Sequence, residues 1–439
     1  MKRFLFALLL VVTTGPIVVP DMRGEINWPC YHGARRDNIS TETNLLRSWA
    51  EGGPKLLWVA SGIGQGFSSV AVAGGRIFTA GMIDNQTHVI ALDLNGKILW
   101  QKPNGSSWRA SENQKWAIPY SGSRGTPTVD RDLVYHLAEL GDLTAFRAAT
   151  GERLWHRNLL SDFDASLPKY GYSESVLIKG NRLFCCPGGK KGYIVALDKV
   201  SGKTIWVNTS FQDPVGYSSL VIAVLDGVEQ LVGLTAARVF GVRTDNGELL
   251  WEYPFGNRSG NNATDPIIHN GKVYASSGYG KGSVLIQPCR TRAGRFEVKE
   301  LWSTALLDNH HGGVVLVDGY LFGAGHQAKG WTCLEFATGR ECWRNPGKGS
   351  LTYADGCLYC LEENGTISLV PANHERWEVL GSFSLPRGGS GPCYAHPVVC
   401  GGRLYVRHGE KLYAYSIAAS AEKARKLGCY PAKAADNIP

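Results

Sequence analysis

Apolar and polar residues alternate with a period of two in short runs along most of this chain, and turn residues interrupt them every few positions. Gly75-Arg76-Ile77-Phe78-Thr79 and Gly271-Lys272-Val273-Tyr274-Ala275 are two such runs. Period two bounded by Gly, Asn and Asp predicts strands joined by tight turns. A longer unit repeats above this pattern. Ala196-Leu197-Asp198, three residues, then Gly202-Lys203-Thr204-Ile205-Trp206 recurs as Ala91-Leu92-Asp93 with Gly96-Lys97-Ile98-Leu99-Trp100, and as Ala145-Phe146-Arg147 with Gly151-Glu152-Arg153-Leu154-Trp155. Gly241-Val242-Arg243 leading to Trp251 and Cys333-Leu334-Glu335 leading to Trp343 are further copies. Trp58, Trp100, Trp155, Trp206, Trp251, Trp302, Trp343 and Trp377 are expected to mark the unit ends. A strand-only period of about 45 residues predicts the blades of a β-propeller.

Each unit reads as four strands. In the first they run from Ser68 to Ala73, from Arg76 to Ala80 and from His88 to Asp93, with a fourth ending at Trp100. First strands start near Ser68, Thr126, Ser175, Ser219, Asp265, Gly313, Ser350 and His396, so the expected fold is all-β, an eight-bladed propeller of four-stranded antiparallel blades. The last unit has three strands, and the segment 54–60, which holds Trp58 ahead of any first strand, is expected to supply its fourth and close the ring. Closure matters because an unpaired sheet edge recruits other chains. The Trp is expected to cover the face of the neighbouring blade, with the Gly before it making the tight turn.

Composition bears on export and on partners. Met1-Lys2-Arg3 followed by the apolar Phe4 to Val12 has the form of a secretory signal. The expected division is a signal over 1–20, an extension over 21–53, the propeller over 54–417 and a tail over 418–439 formed by a short helix and a loose end. That places the protein outside the cytoplasm, in the periplasm or the extracellular space, as a monomer with no integral membrane domain once the signal is cut. Fifty-four glycines in 439 residues, about 12% against a usual ~7%, fit a turn-rich fold. The net charge is +8, but Lys and Arg are scattered rather than gathered into a basic face, which argues against nucleic acid. Eleven cysteines, an odd number, leave at least one without a partner in the chain. Most are expected to be small buried apolar groups, the adjacent Cys185 and Cys186 included, because neighbours in a strand face opposite ways. No phosphate-binding Gly-Lys-Ser/Thr loop, zinc-protease helix or Gly-x-Ser-x-Gly elbow is present, which argues against the common nucleotide, zinc-protease and hydrolase classes.

The repeat resembles that of the pyrroloquinoline-quinone (PQQ) propeller superfamily over about residues 54 to 417. That superfamily includes quinoprotein alcohol dehydrogenases, with calcium and PQQ at one end of an eight-bladed ring, and non-catalytic propellers such as the lipoprotein of the outer-membrane protein assembly machine. Trp28-Pro29, His32-Gly33, Arg36-Asp37, Pro187-Gly188-Gly189, His310-His311-Gly312-Gly313 and His396-Pro397-Val398-Val399 are similar to a group of exported bacterial propellers, most without an established activity. The repeat transfers a fold, whereas function has to be argued from a site.

Loops between blades, and between second and third strands, emerge together around the central channel, and that face is the expected site. It carries Trp108, Trp116, Tyr120, Arg124, Tyr170, Tyr172, Tyr217 and Tyr279, a set suited to a protein, polysaccharide or envelope partner. The resemblance implies a second possibility, a PQQ- and calcium-dependent dehydrogenase of alcohols or sugars. Glu174 and Asn262 would then be hard oxygen ligands for calcium, Asp265 the base, and Arg124, Tyr172 and Trp331 neighbours of the quinone. His310, His311, His326 and His396 are weaker candidates for a softer metal. Where a catalytic Asp is expected at the sixth first strand the chain has His310-His311-Gly312-Gly313, so the leading expectation is a non-catalytic binding or scaffold module.

Overall fold

The structure, a computed structural model, describes residues 27–419 except 112 and 114. The expected signal and the tail from residue 420 lie outside the described residues. Eight sheets stand around one axis, each a four-stranded antiparallel blade. Their innermost strands are Ala71–Ala73, Thr128–Asp130, Leu177–Lys179, Val221–Leu225, Ile267–His269, Val314–Val317, Gly349–Ala354 and Val398–Cys400, each within three residues of the expected start. Blade one thus covers 71–106, and blades two to seven follow in chain order. Among the described residues no helix is long and apolar enough to cross a membrane.

The ring closes as expected. Lys55–Ala60 lies antiparallel to Lys411–Ser416, with Trp58 opposite Ala414 and Val59 opposite Tyr413. A buried arginine reinforces the seam. Arg407, on the middle strand of blade eight, is 2% exposed and donates to the carbonyls of Gly64 (2.9 Å), Ser68 (3.1 Å) and Ala80 (2.5 Å) and to Thr79 Oγ1 (2.7 Å) in blade one and the segment leading into it. It also reaches Gly409 O at 2.9 Å.

The repeat motif is an inter-blade joint. Its Trp does not end the strand as expected but stands near the start, third in Ile98–Ser106, Arg153–Asn158, Thr204–Asn208, Leu249–Pro254 and Glu341–Pro346. The indole N–H donates forward into the next blade: Trp58 to Leu94 O, Trp100 to Ala148 O, Trp155 to Lys199 O, Trp206 to Thr244 O, Trp302 to Phe336 O and Trp343 to Asn373 O, at 2.9 to 3.2 Å. A Gly of that next blade lies flat on the ring. A Cβ on Gly96 would sit 2.7 Å from Trp58, one on Gly202 2.9 Å from Trp155 and one on Gly339 2.7 Å from Trp302, and all three glycines have positive φ. Only Gly satisfies both demands.

Two of the expected repeat tryptophans, Trp251 and Trp377, depart from this joint, and Trp302 makes it from a different place in its strand. Trp302 is the seventh of nine residues in Phe296–Thr304, a strand that begins earlier than the other outer strands. Val298 stands four residues ahead of it, where Trp100, Trp155, Trp206, Trp251 and Trp343 have Gly. Trp302 therefore covers Gly339 of blade six, but blade five presents no Gly to Trp251 behind it. Trp251 is buried in a cluster against which Val298 packs, and its N–H turns to Gln230 Oε1 of its own blade. Trp377 lies in the connection before the outer strand Gly381–Ser384, not in a strand, and stacks on Trp331 and Trp343. No Gly-Lys turn precedes it, so it lacks the other half of the joint.

The extension ahead of the ring threads it. Trp28 bridges Val72 of blade one, Pro29 O accepts from Val129 N of blade two, and Ile39–Ser40 runs parallel to Gly349–Ala354 of blade seven on the axial side. Arg36 donates to Ser175 O (2.9 Å) and Val176 O (2.5 Å) of blade three and to Leu220 O (3.4 Å) of blade four. Residues 28–40 therefore plug the channel, and Trp28, Cys30, His32, Arg36 and Asn38 are buried there. Such irregular buried backbone persists only when its polar groups find partners, and here the inner strands supply them.

Candidate functional site

With the axis plugged, the loop face becomes a cup rather than the mouth of a pore. The cavity measures about 440 Å³, within the usual size of small-ligand sites. Tyr31 of the plug forms its floor, and its ring stacks on His32 at 3.8 Å. Beneath it runs a polar chain. His396 Nε2 is 2.6 Å from His311 O, a group that can only accept, so Nε2 carries the proton. His396 Nδ1 then accepts from His32 Nε2 at 2.9 Å. His32 Nδ1 lies 3.3 Å from Asp265 Oδ2, a buried oxygen that accepts no hydrogen bond within the protein. Tyr31 Oη, 3.1 Å from His396 Nε2, accepts from it and keeps its own proton for the cavity. Burial, and then the Asp265 charge, raise the Tyr31 pKa well above that of a free phenol.

The walls differ chemically. On the side of blades six and seven stand His310, His311 and His326, with Lys348 and Glu363. Burial lowers the pKa of all three imidazoles, so they are neutral near pH 7. The Nδ1 atom of each is buried without a hydrogen-bond partner in the protein. Glu363 takes His311 Nε2 at 3.1 Å and Lys348 Nζ at 2.8 Å. Burial pushes its carboxyl up, but those two hydrogen bonds prevail and hold it at about 2. The opposite side carries Phe67, Tyr170, Tyr217 and Arg124, with Trp116 at the rim, 60% exposed. The Arg124 guanidinium lies over the Trp108 ring at 4.6 Å and is pinned by Tyr120 O (2.6 Å) and Gly122 O (2.9 Å). Burial is the main cause that lowers its pKa.

Of the residues singled out in the sequence, Trp116, Tyr120, Arg124, Tyr170, Tyr217, Tyr279, His310, His311, His326 and His396 line the cup. Those assigned to calcium and quinone lie elsewhere. Tyr172 is buried and donates to Pro187 O at 2.6 Å. Asn262 is consumed by Thr235 O, Ser277 and Asn257. Asp265 is one layer below the floor, accepting from Ser219 N at 2.6 Å and facing His32. Trp331 is 2% exposed and stacked on Trp377. Glu174 is fully buried and accepts from Cys186 N at 2.9 Å, while its Oε1 has no partner in the protein. Burial, with help from the Asp265 charge, pushes its pKa up to about 8 despite Cys186 N–H and Arg36. The space beside it is only about 10 Å³, room for about one water. Among the described residues no three His, Cys, Asp or Glu groups converge as metal ligands. The Asn262 amide is thus already committed within the protein, and the cation near Glu174 is Arg36 of the plug. The ten described cysteines are free thiols, with Cys185 and Cys186 packed into different inter-blade cores.

Tyr31, Phe67, Lys348, Glu363 and Tyr394 were not singled out from the sequence. Tyr31 belongs to the Trp28 to Asp37 stretch, whose irregular spacing gives no hint that it enters the ring. The family model described as outer membrane protein assembly factor BamB, a PQQ-type repeat, matches residues 39–165 and 86–345. The chain belongs to that family. BamB of Salmonella typhimurium is 24% identical over 209 residues, 48% of this chain and 47% of that protein. The quinoprotein alcohol dehydrogenase PedH of Pseudomonas putida is 26% identical over 157 residues, 32% of this chain and 25% of that protein. The matches thus span about half of one curated relative and a quarter of the other. The solved structure of a europium-containing methanol dehydrogenase superposes with a TM-score of 0.65 over 89% of this chain and 98% of its own, at 13% identity, a likeness of fold alone. The proteins this chain is similar to thus include both an outer membrane protein assembly factor and a quinoprotein alcohol dehydrogenase.

Proposed function

We propose that this BamB-type propeller is an exported, monomeric, non-catalytic binding module of the cell envelope, periplasmic or extracellular, which holds its partner in the loop-face cup. The observation that carries this reading is the cup itself, about 440 Å³ across a plugged axis, with Tyr31 at its floor and Trp116 at its rim. Aromatic faces beside hydrogen-bonding imidazoles bind amphipathic ligands. A ligand bound only by the native state raises the unfolding temperature. Thermal unfolding against envelope polysaccharides, peptides and PQQ with calcium, on the parent and on Trp116→Ala, is the test. A polysaccharide or peptide whose stabilisation is lost in Trp116→Ala supports the reading, and stabilisation by PQQ with calcium, or by a ligand acting equally on Trp116→Ala, contradicts it.

The unpartnered Glu174 Oε1 and the likeness to PedH favour a second reading, a PQQ- and calcium-dependent dehydrogenase. Added PQQ and calcium would then give a quinone absorbance and dye reduction that Glu174→Ala and Asn262→Ala both abolish.

A further inference from the structure

We infer that the occupant of the cup is an acidic oligosaccharide, a short chain containing a hexuronate. This rests on the cup being the binding site and names what it binds. Three features of the lining converge on it.

The first is charge. Lys348 and Glu363 cancel as an ion pair at 2.8 Å, and the imidazoles are neutral, which leaves one positive charge, that of Arg124. No carboxylate among the described residues lies within ion-pair distance of its guanidinium. Glu139, the nearest charged partner, accepts from the Arg124 backbone N–H instead. Two of the guanidinium's five donors are spent on Tyr120 O and Gly122 O, and the rest of the fork suits a single carboxylate.

The second is the histidine wall. Neutral imidazole both donates and accepts, as a sugar hydroxyl does, and the rings of His310, His311 and His326 line one wall of the cup. Tyr31 adds a donor at the floor. The third is shape. Trp116, Tyr170 and Tyr217 offer flat faces, which match the apolar face of a pyranose ring. A peptide of the same charge would want a free strand edge for its backbone, and on the axial side the plug occupies the inner edges of blades one and seven.

The experiment is calorimetric titration and tryptophan fluorescence of the full chain with trigalacturonate, triglucuronate and trimannuronate, beside the neutral cellotriose and the acidic peptide triglutamate. Parent, Arg124→Gln and Trp116→Ala are compared. One or more uronate trisaccharides should bind saturably. Arg124→Gln should weaken them about tenfold or more, as expected for loss of a charge-assisted pair, and leave cellotriose unchanged. Trp116→Ala, a change at an exposed rim, should weaken the same ligands and remove the fluorescence change. Uronates bound no tighter than cellotriose, or unaffected by both variants, would overturn the inference. Triglutamate binding alone, lost in Trp116→Ala, would overturn it while the cup remains a binding site. If the uronates fail and every other ligand that stabilises the parent does so equally in Trp116→Ala, both the inference and the reading beneath it fall.

Discussion

Replacing Arg407 by methionine should loosen the seam where the ring closes. Methionine keeps the apolar stem in place and removes every donor. Five hydrogen bonds end with it, to Gly64, Ser68, Thr79, Ala80 and Gly409, four of them across the seam to blade one and the segment leading into it. Bonds from a charged donor contribute about 1.5 to 3 kcal/mol each, roughly 7 to 15 kcal/mol gross. Against this stands the desolvation of the guanidinium. Burial pulls its pKa from 12.5 to about 9, equivalent to about 5 kcal/mol at 1.36 kcal/mol per unit. The net loss is then at least a few kcal/mol, in line with the ~3 to 5 kcal/mol seen when one partner of a buried charged network is removed. With an unfolding entropy of about 2.1 cal/mol/K per residue, a chain of 439 residues should lose roughly 3 to 5 °C in Tm. Scanning calorimetry reads the shift. Limited proteolysis should cut the variant faster near residues 50–66, because only there does the seam open. A methionine variant within about 1 °C of the parent, with unchanged cleavage, would refute the reasoning.

Further outcomes are expected. Glu174→Gln should flatten part of the pH dependence of stability: the folded carboxyl titrates at about 8 against an ordinary 4.5, so its contribution is complete below about 4.5 and lost as pH rises through 8. Between those values the parent should lose up to about 1.4 kcal/mol per pH unit relative to the variant, and Tm measured at pH 5 and pH 9 would show no such difference if Glu174 were solvated. Deleting residues 54–60 should leave Lys411–Ser416 as an open edge and produce oligomers on size exclusion; a deletion variant as monodisperse and heat-resistant as the parent would contradict the closure. Gly202→Ala should cost about 1 to 3 kcal/mol, because its Cβ meets the Trp155 ring at 2.9 Å at positive φ, whereas Gly227→Ala, which meets nothing within 4 Å, pays only for the backbone; equal denaturant midpoints for the two would sink the packing account.

The blades were legible because each is local. A strand period of two and a Gly to Trp spacing within one unit report on contacts only one blade away, and even the Trp58 closure followed from one final-strand copy standing ahead of the first blade. Trp302 and Trp377 show where spacing alone overreaches: both sit at the repeat distance, but neither has the Gly of the joint four residues ahead, and the local packing changes at each. The plug was not legible. Its residues follow no period, and His32, Arg36 and Asn38 adopt positive φ to reach partners 139 to 364 positions away. That hidden segment decides the site. Glu174 and Asn262 look like calcium ligands and Asp265 like a base until Arg36 stands beside Glu174, Ser277 and Asn257 claim the Asn262 oxygen, and His32 faces Asp265. The cup's aromatic rim was visible as a cluster of loop residues, but its floor could only come from the ring being filled.

Native mass spectrometry of the protein from its own source, compared with its denatured mass, tests the central claim most directly. The account predicts that no PQQ and no calcium leave the protein on denaturation, and that any small molecule released is a saccharide. Stoichiometric release of PQQ with calcium would contradict it.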